Sequence, residues 1–173
     1  MIPLRKLGRT AALLAAGLVA GVAAMLAAPA PGLAAESRAP RILLDPGHSP
    51  AAPGARGLRG IPEVTYNDRF AARLAGILKT AGFSVALTRQ PGEALGLAER
   101  PALANARRPD LFLSIHHDSA QLTYLRPVRG EMGDGYQTTR PIAGHSLFVS
   151  RSNPQFAASL RLAEQLGEHL RAL

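Results

Sequence analysis

Chemistry-bearing residues stand where the aliphatic runs of this chain stop. His48 follows "ILLDPG", His116 and His117 follow "LFLSI", and Glu63 follows Pro62 at the head of a helical pattern. Imidazole nitrogen and carboxylate oxygen are donors that zinc favours, and a hydrolytic site uses three protein ligands plus one open position. His48 and His116 supply two such donors. Glu63 is the best third, because a helix start beside a strand end can bring its side chain back over the rim, and a first-turn carboxylate suits the helix dipole. Bound Zn2+ would hold Glu63 ionised and both imidazoles neutral. Taken singly, each residue has a plainer reading. Glu63 would be an ordinary first-turn acid, and His48 the cap of a turn. The pair His116-His117 at a strand end is harder to explain that way.

The elements that must position these side chains follow from periodicity. "RILLD" reads as a buried strand stopped by Pro46-Gly47. "SPAAPGARGLRG" is a loop. Pro62 opens a helix to about Ala81, with an apolar stripe at Phe70, Leu74, Ile77 and Leu78, and Gly82 stops it. "FSVALT" is a strand, Leu95 to Arg107 a second helix, and "DLFLSI" a third strand. Residues 118–144, with Gly130, Gly133, Gly135, Pro127 and Pro141, read as a long surface loop. "SLFVS" is expected as a fourth strand that begins near His145, a residue with a structural or rim role. Asn153-Pro154 opens a last helix bearing Phe156, Leu160, Leu166 and Leu170, with His169 solvated near its end. Strands alternating with helices predict an α/β fold, an open and mostly parallel twisted sheet with helices on both faces. In such sheets ligands sit beyond the carboxyl ends of the strands, where His48 and His116 emerge together if their strands are parallel neighbours.

The first 35 of the 173 residues do not read as part of that domain. Arg5, Lys6 and Arg9 precede an apolar run from Ala11 to Ala28, then small residues. This is the layout of a secretory signal peptide cut between Ala30 and Ala35, the rival being an uncleaved anchor. The expected division is a leader 1–35, a linker 36–40 and a catalytic domain 41–173, exported to the periplasm or cell envelope. The chain has no cysteine, so its stability rests on packing or metal rather than disulfides. Its 20 Lys+Arg against 12 Asp+Glu are scattered, which argues against nucleic acid as a partner and suits a mild attraction to an anionic envelope polymer. Membrane contact is expected only if the leader stays uncleaved.

Three motifs in order, "ILLDPGHSP", "PEVTYN" and "LFLSIHHDS", resemble the zinc-dependent N-acetylmuramoyl-L-alanine amidases of the amidase-3 family. The strand "FSVALTR" between them fits as well, and the likeness continues more loosely through "GHSLFVSRSNP" and the last helix. The resemblance implies that His48, Glu63 and His116 are the zinc ligands. It implies that Asn67, four residues after Glu63, is a supporting or packing residue. Asp45 either ties down the turn before His48 or hydrogen-bonds a ligand histidine, and His117 and Asp118 line the site. The implied substrate is peptidoglycan. The implied reaction cleaves the amide between N-acetylmuramic acid and the L-alanine of the stem peptide with a zinc-activated water.

The resemblance also implies a further strand after the last helix, carrying a glutamate that acts as the general base. This chain stops at Leu173, so the expectation is a domain incomplete at its C-terminus, lacking the family's final strand and with no matching catalytic residue up to Leu173. Glu93, Glu99, Glu164 and Glu168 are poor substitutes, since none ends a core strand. Three readings stay open: a peptidoglycan hydrolase, a catalytically impaired zinc-binding relative that binds cell wall or regulates a partner, and a zinc peptidase acting on another envelope peptide.

Overall fold

Ile42, Leu43 and Leu44 are each at most 2% exposed, so the first aliphatic run is a strand covered on both faces. In the computed structural model, which describes residues 38–57, 60–118, 122–130, 133–139 and 144–172, this run is β1 (Arg41–Pro46). The expected leader 1–35 lies outside the described residues, as does the start of the linker. β1 is flanked on one side by β2 (Ser84–Leu87) and on the other by β3 (Leu111–Ile115), both parallel to it. A continuous apolar run is what such a central parallel strand requires. Pro46 has no N–H to give the ladder and stands at its last position. Gly47 continues the pairing by donating its N–H to the Ile115 carbonyl at 2.9 Å.

Two helices cover the Ile42/Leu44 face. Helix α1 (Glu63–Thr80) turns Ala71, Leu74, Ala75 and Leu78 onto it, and α3 (Phe156–Arg171) adds Leu162 and Leu166. Helix α2 (Glu99–Arg107) serves the opposite face, where its Arg100 reaches Asp45 of β1. The expected α/β sheet with helices on both faces is therefore present. Its strand order, β2-β1-β3, means that the chain leaves β1 to one side and later returns on the other. The crevice between the carboxyl ends of β1 and β3 is thus a topological switch point, where open α/β sheets bind ligands.

Two expectations fail. The long loop expected at 118–144 contains an antiparallel hairpin, β4 (Leu125–Gly130) and β5 (Gly133–Thr138), after a 3-10 turn at Leu122–Tyr124. Gly130 and Gly133 pair with each other at the reversal, and Gly135 pairs with Val128 within the ladder. The described part of the hairpin is not a core element, so it lacks the apolar alternation that signals a half-buried strand. Conversely, "SLFVS" forms no strand. Its aliphatic pattern needs a pairing edge, and among the described residues none is bonded to it. Phe148 is 88% exposed, and Leu147 lies against α3 at Gly167. His145 accordingly starts no strand and is exposed. His169 is exposed on the last turn of α3, as expected, with Nδ1 2.8 Å from the Gln165 carbonyl.

At the opposite end of the sheet, Asp110 fastens the entry to β1. It accepts two bonds from Arg38, both 2.7 Å, and the Arg41 N–H at 2.7 Å. The guanidinium of Arg38 holds the Asp110 carboxyl down at about 2 rather than 3.8. The folded state therefore binds this proton less readily than the unfolded chain. The stabilisation is complete above pH 3.8 and fades as pH falls towards 2. Asp110→Asn is expected to cost less than about 1 kcal/mol near neutral pH, since the pair is half exposed. In urea titrations its deficit against the parent shrinks as pH falls through that window, and a deficit that grows there contradicts the assignment.

Candidate functional site

β1 ends in a turn that the backbone adopts at a cost. His48 has φ 65°, a left-handed conformation rare for a side chain other than glycine. That conformation turns its imidazole over the crevice. The first strand and the third, being parallel neighbours, deliver His48 and His116 to the same rim, with ring centroids 4.9 Å apart.

Glu63 reaches them from the first turn of α1. The N-cap residue is Pro62, which offers no side-chain cap, so the loop before the helix satisfies its first donors instead. The Glu63 N–H bonds the Ala55 carbonyl at 2.8 Å and the Val64 N–H the Pro53 carbonyl at 3.1 Å. The loop folded back in this way lets Ala55 return an N–H to Glu63 Oε2 at 3.2 Å. The other oxygen, Oε1, accepts the His117 N–H at 3.0 Å. The side chain of Glu63 is 4% exposed as a residue, and its two oxygens lie 3.1 Å from His48 Nε2 and 3.0 Å from His116 Nδ1. Burial opposes its ionisation. The N–H groups of His117 and Ala55, the neighbouring His48 and the Asn67 amide outweigh that and hold its carboxyl below the ordinary value.

Donor atoms of His48, Glu63 and His116 all lie within 4.8 Å of one another. Among the described residues this is the one such group able to hold a metal ion. Two imidazoles and a carboxylate are a zinc-type donor set. His48 Nδ1 sits 3.1 Å from the Ala52 carbonyl, which can only accept, so an Nδ1–H donates there and Nε2 is the ring atom turned to Glu63 Oε2. The space around the donors is also shaped. A Cβ on Gly47 would lie 2.4 Å from His116 Nε2, and one on Gly54 would lie 2.7 Å from both Glu63 Oε2 and His48 Cδ2. Both glycines therefore stand where a side chain would fill the cradle. Gly54 also has φ 77°, so Gly54→Ala carries the roughly 1–2 kcal/mol left-handed penalty as well. We expect that variant to melt earlier and to bind zinc more weakly, read by thermal melting and competitive zinc titration. An unchanged zinc affinity would show that the cradle tolerates a methyl group.

The supporting residues divide. Asn67 is fully buried; its amide donates to the Gly47 carbonyl at 3.0 Å, and its Oδ1 lies 2.7 Å from His117 Nδ1. The imidazole of His117 packs edge-on against Phe70 and tilted against Tyr66. Burial pushes it below its ordinary value, and the nearby Glu63 carboxylate opposes that shift. Asp45 is bonded across the sheet and to Arg100, whose guanidinium in turn bonds the Pro46 and His48 carbonyls. Its carboxylate accepts from Thr88 Oγ1 at 2.6 Å, Ser114 Oγ at 2.8 Å and Arg100 Nη1 at 2.6 Å, rather than from a ligand histidine. Asp118 is exposed. Glu93 and Glu99 each accept a backbone N–H three residues upstream, from Gln90 and Gly96, and so stabilise local turns.

Two arginines at this site escaped the sequence reading. Arg89 is 2% exposed and Arg100 7% exposed, and both donate to carbonyls of the turn that carries His48. The only available signal was Arg89 directly after the strand "FSVALT". Arg100 stands beside Glu99 in the first turn of a short helix, where an arginine reads as solvated.

Residues 42–173 match the family model described as Amidase_3, N-acetylmuramoyl-L-alanine amidase. Among curated proteins, the chain is 37% identical over 91 residues to the N-acetylmuramoyl-L-alanine amidase AmiC of Neisseria meningitidis serogroup B, covering 53% of this chain and 22% of that protein. It is 36% identical over 105 residues to the sporulation-specific N-acetylmuramoyl-L-alanine amidase of Bacillus subtilis, covering 57% and 41%. The chain thus spans less than half the length of these relatives. Among solved structures, the AmiC2 amidase of Nostoc punctiforme matches with 31% identity and a TM-score of 0.45, over 48% of this chain and 46% of that one. With the family model covering most of the chain, from β1 onward, this protein belongs to the Amidase_3 family of N-acetylmuramoyl-L-alanine amidases.

Proposed function

We propose that this chain acts in peptidoglycan hydrolysis, on the amide between N-acetylmuramic acid and the L-alanine of the stem peptide, with zinc held by His48, Glu63 and His116. The carrying observation is that these three donors converge within 4.8 Å at the switch point of the sheet, inside the stretch matched to the amidase family. When bound, zinc polarises the scissile carbonyl and brings the pKa of a bound water to about 7. The protein's own part is preorganisation. Glu63 is kept ionised by N–H donors, the His48 ring is oriented by its Nδ1–H bond to the Ala52 carbonyl, and Gly47 and Gly54 keep the cradle clear. The side chains of His48 and His116 are 27% and 42% exposed, so a polymer can approach the donors from the rim. No helix among the described residues is long and apolar enough to cross a membrane. Export to the envelope, expected from the leader, would bring the chain to this substrate.

Digestion of purified sacculi tests the reading. Released stem peptides with a free L-alanine amino terminus, identified by mass spectrometry, lost with chelator and restored by zinc, are the expected products. Cleavage within the stem would make the protein a peptidase instead. Binding to sacculi with no product would favour the impaired, wall-binding relative.

A further inference from the structure

We infer that Arg100, together with Arg89, is a positioning residue for His48, a role that rests on the proposed metal centre. The turn from Pro46 to His48 ends in a residue at φ 65°. That conformation is costly for an L-residue and persists only where the surroundings over-determine it. The surroundings here are two guanidinium groups. Arg100 Nη1 donates to the Pro46 carbonyl at 3.0 Å and Arg100 Nη2 to the His48 carbonyl. Arg89 Nε donates to the same His48 carbonyl at 2.8 Å, and Arg89 Nη2 to the Gly47 carbonyl at 3.3 Å. All three carbonyls of the turn therefore face an arginine.

Each arginine is buried with its own counter-ion from a different element. Arg100 pairs with Asp45 of β1, and Arg89 with Asp68 of α1, both at 2.6 Å. Burying two ion pairs costs desolvation that packing of apolar residues would avoid. What these pairs obtain in return is direction. A rigid fork of fixed donors can hold several carbonyls at once, which a single point charge cannot. With the His48 carbonyl clamped, its Cα–Cβ bond is aimed at the crevice. The Ala52 carbonyl then fixes the ring, leaving Nε2 3.1 Å from Glu63 Oε2. Neither arginine contacts the donor atoms, so both act through His48.

The test is Arg100→Lys in the full chain. Lysine retains the charge beside Asp45 but cannot serve both carbonyls. Zinc affinity is expected to fall roughly 10–100-fold, the range for partners that orient a ligand. Leu162→Val in the core serves as the control. It lowers the melting temperature without moving zinc affinity more than about twofold, since it touches no donor. A second readout needs no metal: the imidazole 15N shifts of His48 in zinc-free protein. They report one ordered imidazole environment in the parent and displaced or broadened signals in Arg100→Lys. Unchanged zinc affinity together with unchanged His48 shifts overturns the inference. If the parent binds no zinc, the metal-centre reading fails, and the zinc-free shifts alone decide the positioning role. If Arg100→Lys does not fold, Arg89→Lys is judged by the same two readouts.

Discussion

Glu63→Gln is expected to lower zinc affinity by more than about 100-fold, beyond the range seen when only an orienting partner is lost. The substitution keeps the shape of the side chain and removes its charge. It also replaces one acceptor oxygen by an NH2 group, which cannot accept from both the Ala55 N–H and the His117 N–H. One of those two donors would then point at another donor in a site where the residue is 4% exposed. An unsatisfied buried group of this kind costs roughly 1–3 kcal/mol, so the variant should also lose stability in the absence of metal. Competitive zinc titration measures the first effect and metal-free urea unfolding the second. Zinc affinity within a few-fold of the parent would remove Glu63 from the donor set. A metal-free stability equal to the parent's would mean that the two N–H groups find other partners.

The main features of the fold were legible because they rest on continuous apolar runs. "ILLD" and "LFLSI" are buried on one or both faces, and the Pro46-Gly47 stop after the first falls where its strand ends. The stripe on the first helix faces the core as spaced, with Leu74 and Leu78 at 1% and 0% exposure. The metal-type donors were legible for a related reason. A histidine ending an aliphatic strand has no packing explanation, so it stands out from its neighbours. What failed to show were features set by pairing rather than by pattern. The hairpin Leu125–Thr138 has exposed polar positions, so its sequence resembles a loop. "SLFVS" has the pattern of a strand, yet a strand exists only where an edge accepts it. Arg89 and Arg100 belong to the same class. Each is charged and follows no apolar rhythm, and only the folded arrangement shows that a buried aspartate and a row of carbonyls wait for it.

That arrangement carries the second large effect, on stability. Asp45 is 2% exposed and sits in a cross-strand row, with Thr88 beyond β2 on one side and Ser114 of β3 on the other. Arg100 closes the row from α2 at 2.6 Å. Asp45→Ala removes the anion while leaving the guanidinium, the Thr88 hydroxyl and the Ser114 hydroxyl in place. Breaking a buried pair from one side costs roughly 3–5 kcal/mol, because the remaining charge keeps its desolvation penalty without its partner. A loss of that size is a large share of the roughly 5–15 kcal/mol that holds a domain together. Asp45→Asn is expected to cost less, since the amide oxygen can still accept from Thr88 or Arg100. The ion pair itself is isolated by a double-mutant cycle with Arg100→Leu. If the pair matters mainly as a pair, the double variant loses clearly less stability than the two single variants added together. Strict additivity in urea unfolding would show that Asp45 and Arg100 act independently. The buried aspartate would then belong to the strand row, and the orientation of the His48 turn would rest on the arginine–carbonyl bonds alone.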